Sequence, residues 1–521
     1  MRPRRRLAAV AAAVVLLGAC TQDQGTRPSG TPETLPPVTG SVEAPDEPAA
    51  DPAYERFYSQ APQWEACGEG VECTSVTVPV DWEAPEGATL DLAVVRRPAT
   101  DADARIGSLL YNPGGPGASG TALVEEFGET LVSPEARAAY DLVGFDPRGV
   151  GDSAPIDCLS DAQMDDYLAY DVEAGTPAGL AELEQVAAEF VAGCQADAGA
   201  LLAHVATPSA ARDMDVLRAA LGEERLTYLG KSYGTLLGAS YAKQFPQRVG
   251  RLVLDGALDP ANTYADVVLG QAAGLELALR NYLQACLDGD TSGECPLRGS
   301  VDDAAAQVQQ VIAAAEERPL ATDSDRELTV TLAVSGIITP LYEDAAWPVL
   351  DAALAAALSG DGTPLLELAD LYADRADDGS YNSNLLEAFA AVNCLDYAVD
   401  DSPEAMRASE EELAAASPTF GRFLAFGEVT CGMWPHPPVR DAEPIAAPGA
   451  APILVVGTTG DPATPYPWSE ALASQLDSGR LLTWEGEGHT AYARGSDCVD
   501  SAVDGYLLDG VLPGEGATCS S

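Results

Sequence analysis

Histidine is nearly absent from this chain, with three in 521 residues. That scarcity argues against a histidine-rich metal centre. It also narrows the search for a general base to His204, His436 and His489. Cysteine couples at metal-finger spacing are missing as well: none of the eleven cysteines forms a C-x₂-C pair, so neither a metal nor another cofactor is expected. Positive charge is scarce. Against 81 Asp and Glu there are 28 Lys and Arg, a net charge of -53, and such a surface repels nucleic acid and anionic membranes. The acids are spread along the chain rather than blocked, which reads as a solvated surface and not as a docking site for a cationic partner. No internal repeat is evident.

What is present begins at the N-terminus. "MRPRRR" is a basic segment with four arginines, and the thirteen apolar or small residues "LAAVAAAVVLLGA" follow it. That run is too short for a stable membrane span and has the shape of an export signal. It ends in Leu17-Gly18-Ala19-Cys20, similar to a bacterial lipobox, which makes residues 1–19 a lipoprotein signal and Cys20 the lipidation site. An ordinary export signal is the alternative. Residues 20–52 are rich in Pro, Thr, Gly and acids and read as a disordered tether. The expected localisation is therefore exported, lipid-anchored to the outer face of the cell membrane or secreted, with the membrane touched only through that anchor. The ten remaining cysteines are an even number, as suits disulfides in an exported chain. They fall into sequence-adjacent couples, giving the expected pairs Cys67–Cys73, Cys158–Cys194, Cys286–Cys295, Cys394–Cys431 and Cys498–Cys519.

Between Arg105 and Asp259 strand and helix signals alternate. "GSLLYN" (107–112), "YDLVGFD" (140–146), "RLTYLG" (225–230) and "GRLVLDG" (250–256) are short apolar runs. "ARDMDVLRAALG" (211–222) and "LLGASYAKQF" (236–245) have helical spacing. This order predicts an α/β fold, a mostly parallel sheet flanked by helices. From 260 to 444 the texture turns to Ala/Leu-rich helices without strand rhythm. The sheet pattern then resumes in "APILVVGTTGD" (451–461) and "RLLTWEG" (480–486). The expected organisation is a core in two parts, 53–259 and 445–521, interrupted by a helical cap at 260–444.

"LTYLGKSYGT" (226–235) carries two motifs at once. A phosphate-binding loop, G-x-x-x-x-G-K-[ST], would need glycine at 225, where Arg225 stands, and the residues before Gly230 form a strand. The G-x-S-x-G turn of a serine hydrolase needs a strand before it and a helix after it, and both are here. Ser232 then becomes the candidate nucleophile and Lys231 the variable residue of the turn. A serine needs a base, and the base an orienting acid. Asp461 ends the strand "ILVVGTTGD", and His489 follows the strand "RLLTW". Both lie past a strand's carboxyl end, in the chain order of α/β-hydrolases. His204 has no acid partner in pattern, and His436, in "MWPHPP", lies in a proline-bound loop of the expected cap. Asp255 and Asp259, after the preceding strand, are rivals to Asp461. The oxyanion donors would be the N–H of Tyr233 and, in the glycine-rich "YNPGGPGASG" (111–120), that of Gly115.

Taken together, "NPGGPGASG", "GFDPRGVGDS" (144–153), "GKSYGT", "GTTGDPATP" (457–465) and "GEGHTAY" (486–492) resemble the actinobacterial tripeptidyl aminopeptidases, α/β-hydrolases related to prolyl iminopeptidases. The resemblance runs from about Trp64 to Cys519. It implies an α/β-hydrolase fold with an inserted helical cap. It also implies a peptide substrate with a free N-terminus, from which a tripeptide-type fragment is released through an acyl-enzyme on Ser232, Asp461 and His489. The related iminopeptidases have "HGGPG" where this chain has "PGGPG", so the tripeptidyl match is the tighter one. In the cap segment "AVNCLDY" (391–397) it offers Asp396 as a carboxylate for the substrate amine, against an ordinary solvated or capping role. A carboxylesterase with the same triad is the alternative activity. A binding protein on a decayed hydrolase fold is a third reading, opposed by the intact Ser, Asp and His.

Overall fold

The computed structural model describes residues 33–34 and 51–520. The expected signal, Cys20 and most of the expected tether lie outside the described residues. The strands in chain order are β1 (Glu33–Thr34), β2 (Glu65–Gly68), β3 (Val71–Pro79), β4 (Thr89–Arg97), β5 (Gly107–Asn112), β6 (Tyr140–Phe145), β7 (Leu226–Lys231), β8 (Val249–Asp255), β9 (Ile453–Gly460), β10 (Gly479–Glu487), β11 (Val511–Leu512) and β12 (Ala517–Ser520). Ten of them form one sheet in the order β12-β10-β9-β8-β7-β5-β6-β4-β3-β2, and β1 pairs separately with β11.

From β12 to β6 every neighbouring pair is parallel. The remaining strands, β4, β3 and β2, add antiparallel pairs at one edge. The sequence explains the difference. All six residues of β5 and all six of β6 are buried, as expected of central strands covered by helices on both faces. In β4 the first four residues alternate between exposed and buried, the mark of a strand with one wet face. The parallel α/β core expected from the sequence is present, while the antiparallel edge went unread.

One arrangement positions everything that follows. Strand β5 has β6 on one side and β7 on the other. The chain thus reverses its direction of winding at β5, and the loops leaving β5 and β7 open a crevice at their carboxyl ends.

Between β8 and β9 the chain is helical, from Tyr264–Asp288 through Glu428–Gly432. The first of these helices starts at a reciprocal cap between Thr263 and Asp266 and stops at Gly289, φ 83°. Much of this region has its own apolar core, built on Leu279, Tyr282, Val308, Ile337, Leu350 and Leu365. The helix Leu385–Asp396 does not belong to that core. Its Ala391, Val392, Cys394 and Leu395 are buried in the main core beside the sheet. Asn384, at its start, donates to the carbonyls of Gly149 and Ile156 and accepts from the N–H of Gly151. The helical region is therefore fastened to the sheet layer by one of its own helices.

Five disulfides join Cys67–Cys73, Cys158–Cys194, Cys286–Cys295, Cys394–Cys431 and Cys498–Cys519. Closing the 37-residue separation from Cys394 to Cys431 restrains the unfolded chain by about 4 kcal/mol on the chain-entropy argument.

Glu387 of the fastening helix gives a pH signature. Burial is the main cause that pushes its carboxyl from 4.5 to about 7, with Asp157 and Asp161 adding repulsion. A raised value means that the folded state holds the proton more tightly. The contribution is complete below about pH 4.5 and is lost as pH rises through about 7. Glu387→Gln should therefore raise the thermal unfolding midpoint by a few degrees at pH 8, a gain on the order of 1–3 kcal/mol, and leave it unchanged at pH 4. Equal shifts at both pH values, read by scanning calorimetry, would contradict this.

Candidate active site

Strand β7 ends at Lys231, and the helix Tyr233–Gln244 begins two residues later. Ser232 alone makes the turn, with φ 55° and ψ -124°. A non-glycine residue there carries strain of about 1–3 kcal/mol and persists only where its surroundings hold it. They do: its N–H donates to the Asp255 carbonyl at 2.9 Å, and its carbonyl accepts from the N–H and hydroxyl of Thr235 at 2.8 and 2.6 Å. The flanking glycines are required by contact. A Cβ on Gly230 would lie 2.4 Å from the Gly234 carbonyl oxygen, and one on Gly234 would lie 2.8 Å from Asn112 Oδ1.

The loop after β5 closes over this turn. A Cβ on Gly114 (φ 102°) would stand 2.6 Å from the Lys231 carbonyl oxygen and 2.8 Å from Ser232 Cβ. The loop therefore sits directly on the serine, and only glycine allows it. Gly115 (φ 104°) comes next. Tyr233 is the first residue of its helix, where an N–H has no helical acceptor. Among the described residues, neither the Gly115 nor the Tyr233 N–H donates within the protein.

The exit of the loop is braced by Asp146 of the "GFDPRGVGDS" segment. Its carboxylate accepts from the Ser119 hydroxyl, from the N–H and hydroxyl of Thr121, and from the Asp152 N–H, at 2.7–3.0 Å. Two residues on, Arg148 makes a fully buried pair with Asp213 at 2.6 Å and donates to the carbonyls of Pro79, Val80 and His204. That segment is structural bracing. From the helical region, Leu385 and Phe389 of the fastening helix bear on Gly115 and Gly117.

Asp461 follows β9 and is buried, with 1% of its surface exposed. Its Oδ1 accepts from the N–H groups of Ala463 and Thr464 at 2.9 and 2.8 Å, and its Oδ2 from the Thr464 hydroxyl and the Thr490 N–H. His489 Nδ1 meets the same carboxylate at 2.9 and 3.0 Å. Burial alone would push this carboxyl up. The imidazole and the converging N–H groups outweigh burial and hold it below the usual range. A carboxylate fixed on Nδ1 leaves Nε2 as the working edge of the ring. The imidazole is further held from the helical region: the His489 N–H donates to the Tyr342 carbonyl at 2.9 Å, and the Tyr342 ring stands edge-on to it at 5.5 Å between centroids.

Gly256 relates the two halves. A Cβ there would lie 3.4 Å from His489 Cε1, and its neighbour Asp255 carries the carbonyl that holds Ser232. The elbow and the imidazole thus flank the same two-residue turn.

Several sequence readings change. Asp396 is sealed in, 1% exposed. Its oxygens take the Thr207 N–H and hydroxyl at 2.9 and 2.5 Å, and that hydroxyl also meets the Tyr233 hydroxyl. Burial pushes its carboxyl up to about 6. A side chain so enclosed has no face for an incoming amine, and Asp396 is withdrawn from that role. Asp255 does not approach the imidazole nitrogens; it binds the backbone N–H groups of Ala491 and Tyr492. Asp259 is held by Gln475. His204 lies 4.0 Å from Asp81, away from the elbow. Lys231, read as a variable position, donates to the Tyr492 carbonyl at 2.8 Å. Cys286, Cys295 and Asp351 come together, but the two sulfurs form a disulfide and offer no thiolate to a metal.

Residues 107–290 match the family model described as alpha/beta hydrolase fold, and residues 417–519 match the one described as TAP-like protein. The chain is 38% identical over 462 residues to serine protease Hip1 of Mycobacterium tuberculosis, covering 86% of this chain and 87% of that one. It is 38% identical over 510 residues to carboxylesterase B of the same organism, covering 94% and 96%. With the tripeptidyl aminopeptidase of Streptomyces lividans it shares 32% identity over 475 residues, 88% of this chain and 86% of that one.

Proposed function

The chain belongs to the TAP-like serine hydrolases of the α/β-hydrolase fold, and on that premise we propose that Ser232, His489 and Asp461 are its catalytic triad. The observation that carries this is the Asp461–His489 hydrogen bond at 2.9 Å beside a serine held at φ 55° on a strand-to-helix turn. Ser232 Oγ attacks the substrate carbonyl while His489 Nε2 takes its proton. The N–H groups of Tyr233 and Gly115 receive the oxyanion as the tetrahedral intermediate forms. The imidazolium, steadied by Asp461, then protonates the leaving group. Water repeats the sequence on the acyl-enzyme and frees Ser232.

The substrate we infer is a peptide with a free N-terminus, from which the enzyme releases a short, tripeptide-type fragment. Support comes from the Streptomyces relative, named a tripeptidyl aminopeptidase. A carboxylesterase is the second reading, favoured by the relative of that name, which matches 94% of this chain, and by the burial of Asp396. We also propose that the protein is exported, on its five disulfides, and held at the membrane through lipid on Cys20.

Fluorogenic tripeptides with free and with acetylated N-termini separate the activities. An aminopeptidase should prefer the free amine by at least about tenfold in kcat/KM, since an unpaired buried recognition group costs 1.4 kcal/mol or more. Equal rates on both, with faster turnover of simple esters, would establish the esterase reading instead.

A further inference from the structure

We propose that Lys231 and Asp255 are a pair of positioning residues that hold the His489 loop against the nucleophile turn by gripping one backbone unit, that of Tyr492, at both ends. The Tyr492 N–H donates to Asp255 Oδ2 at 3.0 Å, and the Tyr492 carbonyl accepts from Lys231 Nζ at 2.8 Å. An anion thus holds the donor side of that residue and a cation the acceptor side. The proposal rests on His489 being the general base.

The loop needs holding. Within it Gly488 (φ 92°), Thr490 (φ 67°) and Ala493 (φ 60°) all have positive φ, and for a β-branched threonine this is a strained state. The counterweight is a run of five consecutive N–H groups, each given an acceptor. His489 donates to the cap carbonyl of Tyr342, Thr490 to Asp461, Ala491 and Tyr492 to Asp255, and Ala493 to Asp500. Asp461 also binds the imidazole, and Asp500 sits on a neighbouring helix. Among the described residues, Asp255 and Lys231 are the two of these that reach from the loop to the serine turn itself. Lys231 precedes Ser232 directly, and the Asp255 carbonyl oxygen accepts from the Ser232 N–H at 2.9 Å.

Asp255 is fully buried. Burial pushes its carboxyl up and the Lys231 ammonium down, while each favours the charged form of the other. An uncompensated buried charge is costly, so the pair is matched, and both members direct their hydrogen bonds to the base-bearing loop. Both side chains make their hydrogen bonds to the backbone of the His489 loop and act through His489.

The test uses the full-length enzyme and p-nitrophenyl acetate, whose cleavage does not depend on peptide recognition. Lys231→Met should lower kcat about 100-fold, the scale expected when a catalytic group is misplaced by about 1 Å, with KM changed less than about twofold. Asp255→Asn should do the same, and the double variant should be little worse than the more impaired single one. The deciding measurement is made in a His489→Ala background. There Lys231→Met should change the residual rate less than about twofold, because the loop no longer carries a base. A comparable loss with and without His489, an effect on KM alone, or unchanged kcat would overturn the proposal. Calorimetry identifies folded variants. If Lys231→Met does not fold, Asp255→Asn carries the same comparison, and if neither folds the pair is merely structural and the proposal falls. Labelling by a fluorophosphonate separates the two levels. A wild type unlabelled at Ser232 removes the hydrolase reading and this proposal with it. A labelled wild type with an equally reactive Lys231→Met removes this proposal alone.

Discussion

Replacing Ser232 by alanine should abolish fluorophosphonate labelling and lower kcat on any ester or peptide substrate by about 10⁵–10⁶-fold, the loss found when a triad nucleophile is removed. The unfolding midpoint should barely move. Nothing in the fold depends on the Ser232 hydroxyl: the turn is held through its N–H and carbonyl, by Asp255 and Thr235, and alanine keeps both. The variant should therefore be folded, bind substrate with near-normal affinity and be inert. Labelling that persists at another serine, or a kcat within about tenfold of wild type, would remove Ser232 from the chemistry.

Asp461→Asn should behave differently, because it damages chemistry and fold together. The loss in kcat should be about 10⁴-fold, since an amide beside Nδ1 favours the wrong imidazole tautomer. The carboxylate also receives the N–H groups of Ala463, Thr464 and Thr490 and the hydroxyl of Thr464. An amide has a single acceptor oxygen, so either rotamer turns a donor toward donors. Leaving such a buried group unsatisfied costs about 1–3 kcal/mol, and the unfolding midpoint should drop. A variant with full stability and full kcat would show that the hydrogen bond seen here has no catalytic consequence.

The contrast bears on what a sequence can disclose. The central strands were legible because they are continuous apolar runs closed by turn residues, as in "GSLLYN" and "YDLVGF". The sharp turn at Ser232 was legible because its requirements are local: two glycines, a strand before and a helix after. That Asp461 and His489 stand past strand ends could be read in the same way, although their mutual hydrogen bond is a fact of three dimensions. The antiparallel edge from β2 to β4 was missed, because half-exposed strands carry a weaker apolar signal. Lys231 was missed for a different reason. Its partner, Tyr492, lies 261 residues away, and no local pattern records a side chain that binds a distant carbonyl. Asp396 failed in the same manner from the other direction: its partner is the backbone and hydroxyl of Thr207, 189 residues earlier. A carboxylate looks free in a sequence until its donor is found.

The order of the elements along the chain has a temporal consequence. Strand β7 and the turn bearing Ser232 are made first, the helical region next, and β9 and β10 with Asp461 and His489 after it. A growing chain carries its candidate nucleophile long before it owns the candidate proton acceptor. On the proposed triad, a chain that still lacks β10 has no His489 to take the Ser232 proton. On that triad, the nucleophile made early in the chain is armed only by the residues from β9 onward.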